Sequence, residues 1–125
     1  MTKEEFHKLE AICKKAWKNL SITGKSQKPK YLEKYEEECS ACEISARVNV
    51  FFGGEKEFAC IYCPITTWRR KAIRSQWDYD DGICLKSFYG KWNGTRDMKN
   101  IHIRQVAAKN IANMNWTWLK VYEKI

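Results

Sequence analysis

The chain has no apolar run approaching the roughly 18 residues that a membrane-spanning helix requires. Its opening residues, Met-Thr-Lys-Glu-Glu-Phe-His-Lys, carry acids and no apolar h-region, so no secretory signal is expected and the default compartment is a reducing cytosol. There is no Gly-rich phosphate loop, no Gly-x-Ser-x-Gly and no paired-carboxylate arrangement, which removes the usual sequence supports for an enzyme. Histidine is scarce: His7 and His102 are the only two, each isolated on a predicted helix and read as surface or satisfied structure. Asp78-Tyr-Asp80-Asp81-Gly82 fails as a calcium loop, because its twelfth position falls on Tyr89 and not on a glutamate. Internal repeats and low-complexity segments are absent.

What is present is a folded composition. At 125 residues the chain fits one domain, with 44% apolar and 30% charged residues. A chain this short gains much from a metal staple. Its net charge of +8 is uneven. Residues 1–63 hold eleven Lys/Arg against ten Asp/Glu, a net of +1, whereas residues 64–125 hold twelve against five, a net of +7. Such asymmetry points to an anionic partner: nucleic acid, a nucleotide or an acidic protein surface. The competing reading is a solubilising surface.

Residues 2–21 read as an amphipathic helix. Thr2 and Glu5 form a Thr-x-x-Glu capping box, and Phe6, Leu9, Cys13, Ala16, Trp17 and Leu20 follow at three- and four-residue steps. Gly24 is the expected stop, Gly24–Lys30 a polar linker, and Tyr31–Glu38 a short helix. Over Glu43–Phe52, Ile44, Ala46, Val48, Val50 and Phe52 alternate with mostly polar neighbours, which predicts a half-buried strand. Gly53-Gly54 then reads as a hairpin turn and Glu55–Ala59 as the return strand. Thr66–Ser75 reads as a short basic helix and Ser87–Gly94 as an aromatic loop. From Thr95, Ile103, Ala107, Ile111, Met114, Trp118, Val121 and Ile125 step by four and three, predicting one long helix to the C-terminus. Asn113 and Asn115 are its weak points, and a strand through Trp116–Val121 is the alternative.

The cysteines carry the most specific signal. Cys39-x2-Cys42 and Cys60-x2-Cys63 are two knuckles separated by seventeen residues, within the spacing of zinc sites. Each knuckle lets two thiolates meet one ion at about 2.3 Å, and the predicted hairpin would bring the pairs together. Four thiolates leave no open position, so the expected Zn2+ is structural and the protein not an enzyme. Cys84, twenty-one residues past Cys63, offers an alternative fourth ligand. Cys13 belongs to the apolar stripe and is assigned to the core.

Around these cysteines the chain resembles a group of small, mostly uncharacterised zinc-ribbon-like proteins encoded by bacteriophages. The resemblance rests on Cys39/Cys42, Cys60/Cys63-Pro64, the later Cys84 and Tyr89-Gly-Lys-Trp92, and it spans roughly residues 17–113. It implies a virus-encoded accessory protein acting in the cytoplasm of an infected bacterium. Such proteins include inhibitors of host defences, which grip a defence protein or sequester a nucleotide signal.

For the partner-binding surface, Trp68-Arg69-Arg70-Lys71 with Arg74 and Trp77 interleaves cations and aromatics, the chemistry that grips phosphates and stacks on bases. Lys86, Tyr89, Lys91 and Trp92 form a second such cluster on the glycine-flexed loop. Against both stands the reading that the tryptophans build the core of a small domain.

The sequence therefore predicts an α+β domain. Residues 1–38 form a helical N-terminal part, 39–63 a zinc-stapled hairpin, 64–94 a basic and aromatic loop region, and 95–125 a C-terminal helix. The expected function is non-enzymatic binding to a host component with an acidic surface, with a direct nucleic-acid module or a nucleotide sponge as alternatives.

Overall fold

The computed structural model describes residues 1–25, 40–54, 62–65, 92 and 99–125. Helix α1, Lys3–Thr23, begins where the capping pattern places it, with the Thr2 hydroxyl accepting from the Glu5 N–H at 3.1 Å. Glu5 does not complete the capping box; its carboxylate reaches across to Arg47 at 2.8 Å. The six residues of the expected apolar stripe are the buried face of α1. Gly24 ends the helix at φ 65°, its N–H bonded to the Leu20 carbonyl. That is the left-handed stop glycine makes without a Cβ clash.

The α+β expectation is overturned. The described residues form three α-helices and contain no strand. The segment expected as a strand over Glu43–Phe52 lies instead in helix α2, Ser40–Phe51. Ile44 and Val48 satisfy both a period of two and a period of 3.6, so alternation alone cannot choose between them. The pattern of burial decides between them. Ala41, Ile44, Ser45 and Val48 recur at helical steps and are all buried, whereas Val50 and Phe52, which a strand would bury, are 51% and 55% exposed.

Gly53-Gly54 is correspondingly a helix stop and not a hairpin turn. The Gly54 N–H bonds the Asn49 carbonyl and the Gly53 N–H bonds that of Val50, with Gly53 at φ 79°. This paired pattern is a Schellman motif. The expected return strand Glu55–Ala59 lies outside the described residues, as do the short helices placed over Tyr31–Glu38 and Thr66–Ser75.

The single long C-terminal helix is also corrected. Helix α3 runs only over Ile101–Ala112 and stops at Asn113. Its buried residues are Arg104, Ala107, Ala108 and Ile111, so the inward face is rotated from the expected one and Ile103 is exposed. Residues 114–119 are neither helix nor strand, and the chain closes in a short 3-10 turn, Lys120–Lys124. Leaving the helix lets the tail lie across α1. There Phe6 meets Trp116, Trp118 and Tyr122 with ring centroids 5.3 to 5.8 Å apart.

Helix α3 makes the most extensive contact with α1 and runs antiparallel to it. Its start is fastened to the end of α1 by Arg104 Nε donating to the Gly24 carbonyl at 2.9 Å and Gln105 Nε2 to that of Ile22 at 2.8 Å. Helix α2 is held to α1 by Ser40 Oγ, which donates to the Leu9 carbonyl at 2.7 Å in a buried setting. Arg47 adds a partly exposed ion-pair network with Glu5 and Glu43. Burial works against the Arg47 charge, but its hydrogen bonds to the two carboxylates outweigh that penalty and hold its pKa above the ordinary value.

Candidate functional site

Of the expected zinc ligands, Cys42 and Cys63 are described; Cys39, Cys60 and Cys84 lie outside the described residues. Cys42 sits half-buried in the first turn of α2. A knuckle entering a helix start suits a thiolate, because the N-terminal end of the helix dipole favours negative charge. Cys63 is buried in the same apolar cluster as Ala41, the neighbour of Cys42. Cys63 and the first turn of α2 thus contribute to one apolar cluster.

The chain flanking Cys63 is pinned on both sides by the C-terminal tail. Tyr122 Oη donates to the Tyr62 carbonyl at 2.7 Å, and the Thr117 N–H donates to the Pro64 carbonyl at 2.9 Å. These bonds fix the backbone that would aim the Cys63 thiol. Among the described residues no group of three or more His, Cys, Asp or Glu side chains is placed to hold a metal.

Of the expected partner-binding residues only Trp92 is described. It is 1% exposed and packs edge-on against Trp17, with ring centroids 5.1 Å apart, so its place is in the core. Arg69, Arg70, Lys71, Arg74, Lys86, Tyr89 and Lys91 lie outside the described residues. Cys13 is buried as expected. His102 is exposed, and His7 has a partner after all, lying 3.3 Å from Glu10.

The structure also assembles a surface that sequence reading missed. A groove of about 510 Å³ between α1 and α3 is lined by Lys14, Lys15, Lys18 and Lys109, with Ser21 and Asn113 as polar neighbours and Ile22 and Ala112 as apolar ones. Lys14 is answered by Glu10 at 2.7 Å. Among the described residues no carboxylate lies within ion-pair distance of Lys15, Lys18 or Lys109. Lys109 has a structural role too, since a cation in the last turn of α3 complements the helix dipole. The Lys15 and Lys18 charges lie too far from the end of α1 for that. The available signal was the Lys14-Lys15-x-x-Lys18 run, hidden by the near-neutral balance of residues 1–63 as a whole.

No helix among the described residues is long and apolar enough to cross a membrane. Comparison of the chain with known protein families, curated proteins and solved structures found no match.

Proposed function

We propose that this chain is a non-enzymatic accessory protein that works by binding an acidic component of a host cell and so modulates or inhibits it. One observation carries the reading: Lys15, Lys18 and Lys109, which no described carboxylate neutralises, face one groove between α1 and α3. Lys109 comes from the strongly basic half and the other two from the near-neutral half, so the groove gathers cations that the chain keeps far apart.

One structural zinc completes the proposal. Cys39, Cys42, Cys60 and Cys63 hold it as thiolates and thereby staple the start of α2 to the 62–65 segment. A filled thiolate shell binds no substrate, and the metal's contribution is to folding.

The test is biological first. Removing the gene from a phage that carries it should lower plating on at least one strain bearing a defence system. A double variant, Lys15→Glu and Lys18→Glu, should fail to restore it while folding normally. Equal plating on every strain tested would overturn the proposal.

A further inference from the structure

Apolar and cationic side chains adjoin along the α1–α3 groove, and together they narrow the partner's chemistry. On α3, Ile101, Gln105, Lys109 and Asn113 follow at four-residue steps, a stripe of about 18 Å at about 1.5 Å per residue. Lys109 and Asn113 line the groove, while Ile101 and Gln105 lie against Gly24 at the end of α1. Across from them α1 contributes Lys15, Lys18 and Ile22. Ile22 is 69% exposed, and Ile101 is close to half exposed. One end of this surface is therefore apolar and the other cationic.

We infer that this surface docks an acidic amphipathic helix of a partner protein, carboxylates against Lys15, Lys18 and Lys109 and apolar side chains over Ile22 and Ile101. This rests on the reading that the chain binds an acidic host component, and it names the surface and the chemistry. The helix-in-groove mode needs apolar anchors at helical spacing beside complementary charge, and both are present. A phosphodiester backbone would satisfy the lysines and leave the isoleucines uncovered. A bilayer would favour a protruding apolar face over lysines set in a groove. A lone nucleotide would meet lysines spread over two helices and an open floor.

The test is a selection from a displayed library of random peptides about 14 residues long, a length that covers the stripe, against the full zinc-loaded chain. Enriched peptides are then titrated beside polyglutamate, a single-stranded oligonucleotide and anionic lipid vesicles. Enrichment should yield Asp and Glu on one helical face beside Leu, Ile or Phe on the adjoining one. Lys18→Glu and Ile22→Ser should each weaken these peptides about tenfold or more. Both sites are exposed, and unchanged urea midpoints will show that the variants fold; Lys15→Glu serves if Lys18→Glu does not. No enrichment, or peptides indifferent to Ile22→Ser, overturns the inference. So does tighter binding of the oligonucleotide or the vesicles. If polyglutamate or the oligonucleotide depends on Lys18 and not on Ile22, this inference fails and the acidic-partner reading stands. If no anion binds at all, both fail.

Discussion

Single atoms decide several of the contacts that shape the candidate metal site. The Tyr122 hydroxyl is the clearest: its Oη donates to the Tyr62 carbonyl at 2.7 Å, next to Cys63. Tyr122→Phe keeps the packing and deletes the bond, leaving a carbonyl to find another donor. A loss of about 1–3 kcal/mol is expected in urea unfolding. If Cys63 is a ligand, zinc should also be surrendered to a competing chelator more readily than by the unaltered protein. Arg47 provides the contrast. Its pairs with Glu5 and Glu43 are partly exposed, so Arg47→Met should change stability by less than about 1 kcal/mol. Its raised pKa does not alter this near neutrality. The stabilisation it reports is fully present below the ordinary arginine value and is lost only as pH rises through the higher, folded one. A double-mutant cycle with Glu5→Gln checks the pair.

At the scale of the element, the two helix-stopping glycines separate backbone strain from steric collision. Both hold positive φ, 65° at Gly24 and 79° at Gly53. A Cβ at Gly53 meets nothing within 4 Å, whereas one at Gly24 would collide with the Ile101 side chain. Gly53→Ala should therefore cost only the left-handed strain, about 1–2 kcal/mol. Gly24→Ala should cost that and more, because the Ile101 side chain must also give way. Equal midpoints for the two variants in chemical denaturation would contradict the close α1–α3 contact. How legible each element was follows from the same physics. Helix α1 announced itself because its cap, stripe and stop all agreed. Helix α2 did not, because β-branched Val48 and Val50 and the aromatic pair Phe51-Phe52 have strand propensity that helical packing overrode. The Gly-Gly pair, read as a hairpin turn, is a helix stop, because a helix and not a strand precedes it.

For the whole molecule, the proposed zinc gives the sharpest test. Purified protein should carry about one zinc per chain, and cobalt in its place should show the absorption of a tetrahedral thiolate site. Cys42→Ser or Cys63→Ser should abolish stoichiometric metal and lower the melting temperature, because binding free energy here is folding free energy. Metal-free protein that melts unchanged would remove the staple from the fold. The cationic groove belongs to this scale too. Its assembly needs α1 and α3 side by side, some 90 residues apart in the chain, which no local pattern encodes.

By itself the sequence determined what depends on near neighbours: the start, face and stop of α1, the placement of Cys13 in its stripe, and the weakness at Asn113 that ends α3. It also determined that two cysteine pairs stand at zinc spacing, since that is a count along the chain. Only the tertiary structure decided that Glu43–Phe51 is helical, that the tail leaves its helix to cover Phe6, that Trp92 is buried against Trp17, and that lysines from both halves share one groove. The physical reason is common to all four. Each turns on which surface a segment meets, and burial of that contact outweighs the small local preferences read from sequence.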